Sequence, residues 1–232
     1  MKNPIWFFSK LNLRHPIAWG IMSDSHLDVG CGNYPRNPFG AKNLMGADIL
    51  EREFLSTDVD FEYIRVGTDG RLPLESNSLD SVSGFDFIEH LSRGSNAESN
   101  LFIQFMNEAH RVLKSEGVLL LVTPAFPSPA AFQDPTHVNF ITEETITYFT
   151  GMNPGATQLG YGFRGKFELI NQEWVGPLNQ IWEVMPSTAG KHKGNDLFRN
   201  LLSHFQNIQS IRRFISGVRN PTHLIWLVRK ID

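Results

Sequence analysis

The stretch HLDVGCGNYP, residues 26–35, constrains the fold more than any other part of the chain. A short apolar run of β character ends in Asp28 and breaks into two glycines that flank Cys31. Gly30 and Gly32 let the backbone turn tightly and approach a ligand, because no Cβ intervenes. A strand running into such a loop suits an open α/β sheet, whose ligands sit beyond the carboxyl ends of its strands. A dinucleotide site would need a third glycine and a helix starting at the loop, so that pyrophosphate meets a helix N-terminus. Here the chain continues Asn33, Tyr34, Pro35, Arg36, Asn37 and Pro38, a poor helix interior. The loop therefore predicts a cofactor that it does not hold through phosphates.

Further apolar runs with β character recur at 61–66, 79–85, 118–123, 167–175 and 223–229. Between them, residues 98–114 repeat apolar side chains at Leu101, Phe102, Phe105, Met106, Ala109, Val112 and Leu113, which is helix period, with Gly117 as the stop. Strands alternating with helices predict a largely parallel sheet, and the solid run VLLLVT (118–123) predicts a central strand buried on both faces. The 232 residues, 41% of them hydrophobic, suit a single domain able to bury about 70% of its unfolded surface.

Composition narrows the function classes. No run is long enough for a membrane helix, and the short PIWFF segment precedes Lys10 and Arg14 rather than following them, unlike a secretory signal. The single cysteine, Cys31, excludes an internal disulfide and a cysteine-cluster metal site, and points to a reducing cytoplasm. A formal net charge of −3 gives no reason to expect a nucleic-acid partner.

Two acids then suggest the cofactor. Asp48, in MGADIL, lies sixteen residues past Gly32, where a second strand should end and a carboxylate can accept both hydroxyls of a ribose. Asp69, in VGTDGRLPL, should end the third strand and accept from an adenine amine. A ribose and an adenine without phosphate suggest an adenosyl sulfonium.

With these residues in place, the chain resembles the class I, Rossmann-like S-adenosylmethionine (SAM)-dependent methyltransferases. LDVGCG is similar to the family's first motif and GADI to the acidic end of its second strand. GTDGRLPLESNSLDSVSGFDFIEHL (67–91) and EAHRVLKSEGVLLLVTP (108–124) resemble its next two blocks, so the likeness runs through about 26–124 in order and spacing. The resemblance implies a seven-stranded, mostly parallel sheet with helices on both faces, its last strand antiparallel. It implies S-adenosyl-L-methionine as cofactor, with Asp28, Gly30 and Gly32 lining the methionine end, Asp48 on the ribose and Asp69 near the adenine. Phe85 and Asp86 should lie beside the cofactor, and Cys31, Ile49, Gly70 and His90 complete the implied contacts. Cys31 reads equally as a small packing residue, His90 as a supporting group near the pocket, and Glu89 as a helix-start carboxylate. The helix usual after the glycine loop is shortened or replaced.

This divides the chain into an N-terminal extension (1–25), the SAM-binding core (26–124), an acceptor-side loop and helix (125–150) and a helical insertion (186–222) before the final strand. The acceptor side is best sought in FQDPTHVNFITEETITYF (132–149), which follows the fifth strand. Asp134 would orient His137, which would take a proton from the acceptor. The structural alternative is an Asp-Pro-Thr turn followed by a helix capped at Thr142, with His137 fixing the loop. No metal constellation stands out, although Asp134, His137 and Glu143 could be recruited to one. In the insertion, 197–215 has a helical apolar stripe suited to packing on the sheet or on a second subunit. Its basic face also suits an anionic membrane surface and a lipid-linked acceptor.

The leading expectation is methyl transfer to a small-molecule or glycan-like acceptor, at oxygen. The loop variant and the DPTHV segment are similar to those of methyltransferases in bacterial surface-polysaccharide pathways. A protein or RNA methyltransferase and a non-catalytic SAM-binding or scaffold module stand as alternatives. The Asn/Asp-Pro-Pro-Tyr signature of amino-group methylation is absent where GFDFIE stands.

Overall fold

The computed structural model describes residues 21–33, 35–49, 61–67, 69–95, 99–176, 185–186 and 222–232. Residues 1–20 of the expected N-terminal extension and the expected helix 197–215 lie outside the described residues.

Alternation along β1 (Ser25–Val29) sets the architecture. Leu27 and Val29 join the main apolar core on one face, while His26 and Asp28, both fully buried, point to the other. The remaining strands are β2 (Asn43–Asp48), β3 (Glu62–Arg65), β4 (Leu79–Phe85), β5 (Leu113–Pro124), β6 (Phe167–Val175), β7 (Met185–Pro186) and β8 (His223–Lys230). They form one sheet in the order β3-β2-β1-β4-β5-β8-β6-β7. Pairings from β3 through β5 are parallel, and β8 runs antiparallel to both β5 and β6. The expected seven strands are all present. An eighth, the two-residue β7, pairs with Glu173 and Trp174 at the sheet edge.

β5 is the centre of the molecule. Leu119 and Leu121 pack into the main core, and Val118, Leu120 and Val122 into a second core on the opposite face with Phe39, Phe85, Val175, Ile225 and Leu227. β8 repeats the pattern, with Leu224, Trp226 and Val228 on one side and Ile225 and Leu227 on the other. Helix α1 (Leu101–Val112) covers the main-core face with Phe102, Phe105, Met106, Ala109 and Val112. The side chain of Asn100 caps it, accepting from the amides of Phe102 and Ile103 at 3.1 and 3.2 Å.

The helix does not run to Gly117. It ends at Val112, because Leu113 turns extended and, fully buried, pairs at once with Leu79 of β4. The left-handed residue is Glu116, with φ of 65°, and Gly117 is needed because a Cβ there would sit 2.9 Å from the Lys114 carbonyl. Beyond β5 come two short helices, α2 (Ala130–Gln133) and α3 (Gly155–Gln158), and a 3-10 helix over Glu143–Tyr148. Thr142 is the N-cap of the last, as expected, and the box closes through Thr145, whose hydroxyl accepts from the Thr142 amide at 2.9 Å. Among the described residues no helix is long and apolar enough to cross a membrane.

Because Leu119 is fully buried in the strand that joins both cores, Leu119→Ala should cost about 2–5 kcal/mol of stability, read from chemical denaturation. A loss under about 1 kcal/mol would mean that the site collapses around the missing methyls.

Candidate active site at the carboxyl edge of the sheet

The glycine loop springs from β1 in the middle of the sheet. Gly30 and Gly32 both adopt left-handed backbone, with φ of 69° and 57°. Gly30 has no room for a side chain, since a Cβ would lie 2.7 Å from the Phe87 ring, whereas at Gly32 a Cβ would meet no described atom within 4 Å. The first glycine thus serves packing, and the second leaves an open concavity. The amides of Gly30 and Cys31 donate to the Ala47 carbonyl at 2.8 and 3.2 Å. The Gly32 amide donates to Asp48 Oδ2 at 2.8 Å, while Asp48 Oδ1 accepts from the Ile49 amide at 2.7 Å. Asp48 therefore sits at the end of β2 beside the loop. Ile49, next to it, is 72% exposed, an uncovered apolar side chain where a flat base would find a face.

Beneath the loop lies a buried polar chain. Asp28 Oδ1 accepts from the Ser83 hydroxyl at 2.6 Å and Oδ2 from the Arg36 amide at 2.8 Å, with the Arg36 guanidinium 3.8 Å away. Ser83 has spent its proton on Asp28, so it accepts from His26 Nε2 at 3.0 Å, and His26 Nδ1 accepts from Ser81 at 2.7 Å. Burial drives the His26 pKa down to about 3, which keeps the ring neutral. Burial also raises Asp28 to about 6, opposed by Arg36 and by the Ser83 hydrogen bond. Asp28 thus holds the loop rather than facing open space. Residues 33 and 35–42 form turns, not a helix: Arg36 also lies 4.7 Å over the Phe85 ring, and Asn37 exchanges two hydrogen bonds of 2.8 Å with the Ala41 backbone.

Of the other residues expected at the cofactor, Cys31 is buried against Gly46, and burial pushes its thiol up to about 12, as suits a packing residue. Asp69 does not end β3. That strand stops at Arg65, and Asp69 lies exposed in the turn closed by the Gly70 amide on the Gly67 carbonyl, with Gly70 at φ of 69°. The reason is local: the two glycines of Gly-Thr-Asp-Gly favour a turn over continued pairing. Phe85 is buried in the second core. Asp86, directly after β4, takes a left-handed φ of 48°, and its Oδ1 lies 2.9 Å from Nε2 of His223 at the start of β8.

The acceptor-side loop is clamped onto the 3-10 turn Ile88–His90 that follows. The Val138 and Asn139 amides donate to the Glu89 carbonyl at 2.8 and 3.0 Å. Asn139 Nδ2 donates to the carbonyls of Ile88 and Leu91 at 2.8 and 2.6 Å. This brings His137 beside His90, ring centroids 4.8 Å apart. Asp134 does not hold His137: it accepts from the Thr136 amide and hydroxyl at 2.8 and 2.6 Å, and Thr136 Oγ1 meets His90 Nδ1 at 2.9 Å. His137 Nδ1 instead lies 3.2 Å from the Ala131 carbonyl. Glu89 stands in the first turn of this 3-10 helix, the helix-start position expected of it, and is only 1% exposed. Its Oε2 accepts from Thr123 at 2.9 Å, and burial raises its pKa to about 7. Glu143 is drawn away from this group by a hydrogen bond from Trp174 Nε1 on β6. Sequence reasoning missed Asn139, Ser83, His26 and His223. Only His26 and Ser83 carried a trace, as polar residues inside otherwise apolar strand runs.

A groove of about 800 Å³ elsewhere runs along α1, lined in part by Arg71, Glu108, Arg111 and Arg164. It lies toward the opposite edge of the sheet, where α1 feeds β5, and Arg111 is already bound to Glu108 and to the Leu72 and Leu74 carbonyls.

A carboxyl whose pKa is raised on folding holds its proton better in the folded state. Asp28 therefore contributes most at low pH, and stability should fall as pH rises from 3.8 to about 6, by up to about 3 kcal/mol. Asp28→Asn should flatten that decline in denaturation curves from pH 4 to pH 7, and an unchanged slope would place the titration elsewhere.

Residues 27–121, from β1 into β5, match a family described as "Methyltransferase domain". The fold is similar to that of a SAM-dependent methyltransferase from Archaeoglobus fulgidus, at 18% identity and a TM-score of 0.53, covering 97% of this chain and 93% of that one. A methyltransferase structure from Bacillus halodurans C-125 aligns at 18% identity and a TM-score of 0.51, over 97% of this chain and 99% of that one. Phosphoethanolamine N-methyltransferase 1 of Haemonchus contortus, solved with phosphoethanolamine and S-adenosylhomocysteine, aligns at 13% identity and a TM-score of 0.52, over 97% of this chain and 41% of that one. No curated protein matches the sequence. The open loop at Gly32, the carboxylate of Asp48 and the bare side chain of Ile49 fit an adenosyl cofactor, and they stand within the residues that resemble a methyltransferase domain on a methyltransferase-like fold.

Proposed function

We propose that this chain is a SAM-dependent methyltransferase that acts on an oxygen of a small-molecule or glycan-like acceptor seated against residues 125–140. The observation that carries this reading is the pairing of a proton-accepting group with an aromatic platform on one loop. His137 donates through Nδ1 to a carbonyl, which can only accept, so Nε2 carries the lone pair. On the same loop Phe126, Phe132 and Phe140 are 54%, 52% and 49% exposed. Phe132 and Phe140 stack with centroids 5.1 Å apart, and Arg93 lies 5.5 Å over Phe140. Exposed aromatics grouped beside polar groups mark a binding surface, suited to the apolar face of a sugar or to an aromatic ring.

SAM supplies a methyl group on a sulfonium, which leaves as a neutral thioether when an acceptor oxygen attacks in line. The chain's task is then to align donor and acceptor, worth up to about 7–11 kcal/mol in ideal cases, and to take the hydroxyl proton. Asp48 would hold the ribose and the Gly32 concavity the methionine end. Nε2 of His137 would receive the acceptor's proton, while Asp134, through Thr136, keeps His90 in place next to it.

Asp48→Ala should weaken SAM affinity by about 1–3 kcal/mol in calorimetric titration, since ribose hydroxyls lose their acceptor. Equal affinity would move the ribose elsewhere. With SAM as donor and a panel of sugars, lipid-linked glycans, phenols and hydroxy acids as acceptors, His137→Gln should leave SAM binding intact and lower turnover by about 10²–10⁴-fold. Full turnover in that variant would end the base role for His137, and methylation confined to amines or to protein or RNA would end the oxygen-acceptor reading.

A further inference from the structure

We infer that Glu89, His90 and His137 form a binding site for one divalent transition-metal ion of the zinc class. One ligand atom from each of the three lies within 4.8 Å of the others.

The hydrogen bonds around the two imidazoles dictate where their protons are. The Thr136 hydroxyl has one proton, and at 2.6 Å it goes to Asp134, which as a carboxylate can only accept. Thr136 Oγ1 must therefore accept from His90 Nδ1 at 2.9 Å. His137 Nδ1 likewise donates to the Ala131 carbonyl at 3.2 Å. Both rings are thus held with the proton on Nδ1 and the lone pair on Nε2. The third group faces them: Glu89 Oε1 lies 3.9 Å from His90 Nε2. This oxygen is buried on a residue only 1% exposed and has no hydrogen-bond partner among the described residues, while Oε2 is occupied by Thr123.

One ligand atom of each residue therefore meets in this cluster, with the lone pair of His90 Nε2 toward Glu89 Oε1. A buried carboxylate oxygen left this way is costly, and a cation at the shared point satisfies all three groups at once. Two imidazoles and one carboxylate suit zinc, iron, cobalt or nickel better than magnesium or calcium. The Asp134–Thr136–His90 relay is the arrangement that fixes the tautomer and raises the basicity of a metal-bound imidazole. A tetrahedral ion with ligands about 2.1 Å away sets them about 3.4 Å apart, so the rings close in slightly on binding. Three protein ligands leave a fourth position for an outside ligand. An acceptor hydroxyl ligated there becomes more acidic and releases its proton to solvent, and the ion replaces His137 as the activating group. The site stands on these three side chains alone; its catalytic use rests on the oxygen-acceptor reading above.

The test uses the full chain, stripped with chelator and titrated with Co²⁺ while visible absorption is recorded. Expected are ligand-field bands that saturate at one ion per chain and are displaced by Zn²⁺. His90→Gln and His137→Gln should each weaken binding at least about tenfold, and Asp134→Ala, acting through Thr136, by about tenfold. Circular dichroism and thermal melting of the same variants verify their fold. Absence of saturable Co²⁺ binding to the wild type, or binding indifferent to both histidine substitutions, overturns the site. Stripped protein that methylates a hydroxyl acceptor at the full rate overturns the catalytic use of the ion and leaves the oxygen-acceptor reading standing. Co²⁺ binding with no transfer to any hydroxyl supports the site and overturns that reading.

Discussion

The interaction on which this structure depends is the burial of Asp28 beneath the glycine loop. Its carboxylate takes one hydrogen bond from Ser83 on β4 and one from the Arg36 backbone, and so ties the two central strands to the segment that follows the loop. Burial alone would favour the protonated acid, and the donors from Ser83 and Arg36 act against that. The neutral His26 and Ser81 continue the chain along the β1–β4 seam. Where a helix would usually prop such a loop, one buried acid and an arginine stacked on Phe85 hold it. Gly32 can then face open space because its neighbours are fixed from below.

A second buried carboxylate organises the acceptor side. Glu89 sits under a loop whose backbone is pinned to the Glu89 carbonyl and whose Asn139 side chain spans two more carbonyls of the same turn. That clamp places His137 against His90 and presents the phenylalanines of the loop outward. Asp86 and His223 meet nearby, joining the end of β4 to the start of β8. The carboxyl edge of the sheet thus gathers acids and imidazoles from stretches of chain far apart in sequence, from Asp28 to His223.

Much of this was legible in the residues. Most strands followed from apolar runs, because a strand in a two-faced core must be apolar almost throughout, although β5 begins at Leu113, five residues before its run, and β3 stops short of Asp69. The end of α1 was misplaced because Leu113 prefers its partner in the sheet, a preference that helix periodicity cannot register. The same limit applies to Asp134 and His137. Their spacing in DPTH suggested a pair, but the turn directs the carboxylate to Thr136, and through it to a histidine more than forty residues earlier.

The sequence by itself determined the sheet, the glycine loop and the acid beside it. All of these are set by local backbone preference and by the period of burial along single segments. Only the tertiary structure decided that Asp28 is a buried anchor, that Glu89 is sequestered with an oxygen that has no hydrogen-bond partner among the described residues, and that two histidines gather beside it. Those outcomes depend on which distant donor reaches which acceptor once solvent is gone, and no one segment contains both partners.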